Sequence, residues 1–224
     1  MTGPALGRLS AFLAGYRRRR FAWLFVSLLL TFAARSAVTA LPPRYDPLEL
    51  LLALNLVAVI AGVAEDREIG LLVALGIAFL AARSLQAALG ISASLAVSEG
   101  LWVVTAVVAI VAMLRHALGP GIVDGERILA ALDAYLLAGL LFGVCYWVLE
   151  MTWPGSFAPV SGHFDLPRAI YFSLVTLTTL GYGDVIPASE LARGLAGVEA
   201  VSGQMYLAVL VARLVSLYSR QRDD

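Results

Sequence analysis

Six long apolar runs, each separated from the next by a polar stretch, constrain this chain more than any other feature of its 224 residues. An apolar α-helix needs about 20 residues to cross the hydrocarbon core of a bilayer. Five runs read this way: Phe21–Leu41, Leu48–Ala64, Gly70–Leu89, Leu95–Leu114 and Ile128–Leu149. A sixth, Leu191–Tyr218, is more mixed. The breaks carry turn residues and charge: PPRYDP at 42–47, EDRE at 65–68, GISAS at 90–94 and RHALGPGIVDGER at 115–127. The chain is 60% hydrophobic and 14% charged, whereas soluble domains run at about 45–50% and about 25%. The expected fold class is an all-α integral membrane protein with six transmembrane helices.

Arginine placement sets the expected orientation. Arg8, Arg17–Arg20, Arg67, Arg115, Arg127, Arg220 and Arg222 fall on one side of the alternating spans, and Arg44, Arg168 and Arg193 on the other. Both termini are therefore expected in the cytoplasm and residues 150–190 outside, in a cell inner (plasma) membrane. Phe21–Leu41 is read as a retained span rather than a signal peptide, because its lead-in is long and its apolar stretch exceeds signal length. All 16 basic residues are arginine and are matched by 16 acidic ones. No basic surplus points to nucleic acid as a partner. Arginine-only basicity and high alanine suggest a bacterial source. Cys145 is the single cysteine and is read as a buried thiol; with His116 and His163 it makes no metal site.

The break at 150–190 carries the chemistry. Pro154, Gly155, Pro159 and Gly162 read as an extracellular turret. Asp165 and Pro167 read as a helix start, with proline at an early helical position. RAIYFSLVTLTT then gives about 12 residues, or about 18 Å, of helix. That is too short to cross, and the right length to enter from outside and stop near the midplane. The return path is non-helical, which is tolerated only within protein or along a water-filled route. Gly181 and Gly183 open conformations closed to residues with a Cβ, so that the carbonyls of 179–183 are able to point one way. The Thr179 hydroxyl adds an oxygen at the inner end. The C-terminus of the short helix, near Thr178, brings partial negative charge to the same level. These features suit coordination of a cation without a charged side chain.

Thr176–Asp184, TLTTLGYGD, resembles the selectivity filter of potassium channels, T-x-T-T-V-G-Y-G-D, with Leu180 where valine is usual. In that family the filter carbonyls replace the ion's hydration shell. The resemblance covers roughly 151–218, and the layout of the whole chain resembles six-transmembrane, one-pore potassium channels of bacterial, voltage-gated-like architecture. It implies a re-entrant pore helix and filter loop, K+ as permeant ion held at Thr179, Leu180, Gly181 and Tyr182, and no cofactor. Gly183 completes the strand. One chain supplies one filter strand, so the resemblance implies a fourfold homotetramer in membrane lipid. Tyr171 and Phe172 stand where many members have paired tryptophans, implying an aromatic cuff around Tyr182. Thr176 and Thr178 are read as filter support and Asp184 as the outer mouth. Leu180 is expected to point its side chain away from the axis, which leaves its carbonyl in place.

The expected organisation is a cytoplasmic arm at 1–20, a four-helix sensor-like domain at 21–118, a linker at 119–127 with Asp124 as helix cap, a pore domain at 128–218 and a short tail at 219–224. That tail is too short for a regulatory domain. Glu199 and Gly203 are the gating candidates. Glu199 lies within the bilayer span, where an ionisable group marks function or is paired structurally. Its candidate roles are a hydrogen bond to Thr178 or Ser173, or exposure to a water-filled cavity with proton-sensitive gating. Gly203 serves either bending or close packing. Arg213 is read as snorkelling. Arg35, Arg83, Asn55, Glu99 and Asp133 are further polar interruptions.

A voltage sensor needs three or four gating charges per subunit. The stretch SLAVSEGLWVVTAVVAIVAMLRHAL, which holds the fourth run, carries only Arg115, at its inner end, so weak voltage dependence is expected. A passive K+-selective channel is the leading reading. A cation transporter with a filter-like loop and a non-conducting regulatory subunit are the alternatives. An enzyme is not expected, since no nucleophile, metal cluster or acid pair stands at workable spacing.

Overall fold

The computed structural model describes residues 19–38, 55, 58–59, 69–89, 93–119 and 124–223. The elements among them follow in the order α1 (Arg20–Val38), α2 (Ile69–Leu89), α3 (Ala93–Leu118), α4 (Gly125–Thr152), β1 (Phe157–Pro159), α5 (Leu166–Leu177), β2 (Val185–Pro187) and α6 (Glu190–Asp223). Five of the expected runs coincide with helices to within about one turn at most ends. The expected span Leu48–Ala64 lies outside the described residues except for Asn55, Ala58 and Val59, which are helical. The breaks at 42–47 and 65–68 also lie outside them. Among the described helices, three are long and apolar enough to cross a membrane, over Glu99–Leu118, Gly125–Thr152 and Glu190–Arg213. The helix of the last span continues beyond Tyr218 to Asp223.

Helix α4 is the central element, packed against α1, α3, α5 and α6. Small residues make its contacts close: Ala130, Ala131 and Ala134 are buried, facing a core that includes Leu24 and Leu28 of α1 and Ala109, Ala112 and Met113 of α3. Without a hydrophobic force between helices in lipid, such small residues gain dispersion contact by letting backbones approach. Asp124 caps α4 as expected, its side chain accepting from Arg127 N at 3.0 Å. The outer surface is apolar: Trp23, Ile77, Leu80, Val97, Val201 and Met205 are exposed, as lipid-facing side chains would be. Some buried polar groups are satisfied between segments. Asn55 accepts from the Ser27 hydroxyl at 2.7 Å and donates to Thr31 Oγ1 at 2.6 Å, tying its segment to α1.

The two short strands were not legible in the helical pattern of the sequence. They pair antiparallel, with Phe157 opposite Pro187, Ala158 opposite Ile186 and Pro159 opposite Val185. Helix α5 lies between them in sequence and packs on both α4 and α6.

Candidate functional site

Helix α5 starts where the sequence indicates. Asp165 accepts from Arg168 N at 3.0 Å, and Pro167 occupies the first turn. The cap satisfies a backbone donor that the helix itself leaves open. Ala169, Ile170, Phe172, Ser173, Val175 and Leu177 are buried along its length. Two glycines of α4, missed in the sequence reading, permit this burial. A Cβ on Gly143 would stand 2.7 Å from Ile170 Cα, and one on Gly139 would stand 3.2 Å from both Leu174 and Leu177 side-chain carbons. The available signal was their four-residue spacing in an apolar helix.

The chain leaves α5 through a strand held by its amides. Thr178 N donates to Leu174 O at 3.0 Å, Thr179 N to Thr176 O at 3.0 Å, Leu180 N to Val175 O at 2.9 Å and Gly181 N to Val175 O at 3.3 Å. The last carbonyls of α5 thereby gain donors that the helix cannot supply. The backbone then alternates. Thr179, Gly181 and Gly183 all have positive φ, at 58°, 59° and 76°. Glycine adopts this region freely; a β-branched threonine does not. Thr179 is the one non-glycine residue with positive φ among the described residues. Among those residues no backbone N–H outside helices and strands donates to the carbonyls of 179–183. The intervening side chains project outward from the subunit, Leu180 56% and Tyr182 67% exposed.

Behind the strand lies an aromatic cluster. Phe172 meets Tyr146 at 5.2 Å and Phe157 at 5.4 Å between ring centroids, both edge-on, and Phe157 stacks on Phe164 at 4.4 Å. Phe172 therefore faces α4 and β1 of its own chain, and no cuff closes around Tyr182 within one subunit. Tyr171 is partly buried. Thr176 is partly buried, while Thr178 is exposed and its hydroxyl donates to Leu174 O at 2.7 Å. Asp184 is exposed beyond the strand, and its carbonyl accepts from Val160 N at 2.9 Å. Glu150, not singled out from sequence, orders the turret by accepting from Gly155 N at 2.9 Å and Phe157 N at 3.0 Å.

Both gating candidates on α6 contact α5. Glu199 is fully buried. Of the two roles read for it, the structure gives the hydrogen bond: Ser173 lies on Oε1, and Tyr146 OH donates to Oε2 at 2.6 Å. Thr178 is not its partner. At Gly203 an added Cβ would stand 2.7 Å from Leu177 O and 2.8 Å from Leu177 Cδ1. Close packing is thus present at that glycine. The same carbonyl accepts from Tyr135 OH at 3.1 Å, and Tyr135 stacks on Tyr206, whose hydroxyl donates to Ala131 O at 2.6 Å.

Lower on α6, Arg213 donates to the carbonyls of Leu118 and Gly119 at the end of α3. The guanidinium caps a helix C-terminus, where a cation is favoured. Arg127 donates to the same Gly119 carbonyl at 2.9 Å. Asp133 is buried in α4, and among the described residues neither carboxylate oxygen has a hydrogen-bond partner. No group of three or more His, Cys, Asp or Glu suited to a metal occurs among the described residues.

Residues 131–220, which contain α5, the strand and most of α6, match the family model described as an ion channel. This stretch is an ion-channel domain. Over 90 residues, 38% of its length, the chain is 34% identical to an inward rectifier potassium channel of Paramagnetospirillum magnetotacticum, covering 28% of that protein. Over 116 residues, 49% of this chain, it is 29% identical to a Shaker-related potassium channel of Oncorhynchus mykiss, covering 24%. A voltage-gated potassium channel protein of Drosophila melanogaster, Shal, is 39% identical over 56 residues, 25% of this chain and 10% of its own. The chain thus spans about a quarter of the length of the first two relatives. No solved structure matches it significantly. The channel domain is related to potassium channels, and the chain is a membrane protein.

Proposed function

We propose that this protein conducts K+ passively through a pore lined by the carbonyls of Thr179, Leu180, Gly181, Tyr182 and Gly183. The observation that carries the reading is the alternation of positive φ at Thr179, Gly181 and Gly183. In an extended strand, successive peptides face opposite ways. Reversing φ at every second residue undoes that flip and brings the carbonyls onto one side. The anchored amides of 178–181 face the other way, toward α5. Thr176 and Thr178 support the strand, and Asp184 sets the charge of the outer mouth.

A ring of carbonyls needs several copies of the strand, so the working unit is a homotetramer. The exposed Leu180 and Tyr182 are then covered by neighbouring subunits, while Phe172 stays packed within its own chain. Six spans per subunit, with both termini on the cytoplasmic face of the plasma membrane, complete the architecture. Residues 21–118 form the sensor-like unit and 128–218 the pore. Arg115 is the one arginine of α3, so opening depends weakly on voltage.

The test is flux from liposomes containing the purified chain. K+ efflux that is blocked by barium, with Na+ largely excluded, is the expected result. Gly181→Ala places a Cβ at φ 59°, a conformation costing roughly 1–2 kcal/mol per residue, and should abolish discrimination. Undiminished selectivity in that variant refutes the reading. Stoichiometric coupling to a second ion would indicate a transporter instead.

A further inference from the structure

Three helices meet at one buried carboxyl. Glu199 of α6, Tyr146 of α4 and Ser173 of α5 are all fully buried. The hydrogens available decide how they are joined. Tyr146 has one, and donates it to Glu199 Oε2 at 2.6 Å. Ser173 also has one, yet its oxygen is within hydrogen-bond distance of two acceptors: Glu199 Oε1, and the Gly139 carbonyl of α4 at 2.7 Å. A hydroxyl donates only once. With Glu199 ionised, one of those two close oxygen pairs would have no hydrogen between them. A proton on Oε1 completes the set: Glu199 donates to Ser173, Ser173 to Gly139 and Tyr146 to Glu199. No cation among the described residues acts on this carboxyl to favour a negative charge. The titratable groups that feel it are Tyr135, Cys145 and Tyr146, all of α4.

We propose that Glu199 is a positioning residue for the filter: a neutral carboxyl whose proton joins α6 through Ser173 to α4. The proposal rests on the channel reading above. Ser173 immediately precedes Leu174, Val175 and Thr176, whose carbonyls hold the amides of 178–181. Whatever fixes Ser173 fixes the strand through the next turn of α5. The glutamine variant supplies the same hydrogens without an ionisable proton. Its amide nitrogen donates to Ser173, and its oxygen accepts from Tyr146.

The full-length chain in liposomes is compared with Glu199→Gln, Glu199→Ala and Ser173→Ala. At neutral pH, the infrared difference between wild type and Glu199→Gln should contain the carbonyl stretch of a neutral carboxylic acid. Carboxylate bands in its place overturn the proposal. In K+ flux with Na+ competition, Glu199→Gln should keep wild-type discrimination within about twofold. Glu199→Ala and Ser173→Ala should each lose about tenfold, as expected when a buried group is left unpaired. Equal loss in the glutamine and alanine variants, or retention in all three, overturns the proposal. So does a glutamine variant that fails to assemble. If Glu199→Ala does not assemble, Tyr146→Phe replaces it and should lose less than Ser173→Ala; an equal or greater loss counts against the proposed relay. A wild type that conducts no K+ refutes the channel reading, and the infrared result still decides the protonation of Glu199.

Discussion

Replacing Gly203 with alanine separates two roles for this glycine. If it exists only to let α6 bend, alanine should stabilise the helix by about 1 kcal/mol. The structure predicts the opposite sign. The new Cβ would stand 2.7 Å from Leu177 O, inside the C···O contact distance of about 3.3 Å. The obstacle is backbone, and it cannot rotate away. Overpacking of this kind costs about 1–3 kcal/mol. Retreat of Leu177 also stretches the bond from Tyr135 OH, a loss of about 1 kcal/mol. After the gain in helix propensity, the net loss is about 1–3 kcal/mol. Thermal unfolding of the detergent-purified protein measures the sign, and K+/Na+ discrimination should fall alongside, because Leu177 ends the helix that holds the filter strand. A Gly203→Ala protein as stable as wild type, with selectivity intact, refutes the packing role.

Four further outcomes are expected. Gly143→Ala brings a Cβ to 2.7 Å from Ile170 Cα and should destabilise the protein by about 1–3 kcal/mol, read in the same unfolding assay. Asp133→Leu removes two buried oxygens that lack partners and should raise stability by about 1–3 kcal/mol; a fall would show that the carboxyl is paired. Glu150→Ala leaves the amides of Gly155 and Phe157 without their acceptor, so hydrogen exchange at both should quicken while the α5 amides hold. Recordings across a wide voltage range should lack steep activation; several gating charges per subunit would contradict the reading of α3.

The sequence exposed what depends on local chemistry. Asp165 and Pro167 mark the start of α5 because a cap and an early proline satisfy or remove donors that any helix leaves open. Asp124 announces α4 in the same way. Gly181 and Gly183 advertise positive φ, whereas Thr179 does not, because a threonine reaches that region only when its surroundings impose it. The partners of Glu199 show the limit. Ser173 was among the candidates, but Tyr146 is 53 residues away and nothing local points to it. Gly139 and Gly143 read as ordinary apolar-helix residues until Ile170 and Leu177 are seen against them. Strands of three residues carry too little alternation to register, so β1 and β2 emerged only from their pairing.

That pairing has a mechanical consequence. Because Phe157–Pro159 and Val185–Pro187 are zipped together, the segment between them, with α5 and residues 179–183, leaves and returns through a single neck. Just below it, Ser156 O receives Ala188 N at 2.8 Å and Ser189 N at 3.3 Å. A sideways push on the outer ends of α4 or α6 meets this clasp before it reaches the loop beyond. Residues 179–183 are thereby held apart from the flanking ends of those helices, while α5 remains in contact with α6 through Glu199 and Gly203.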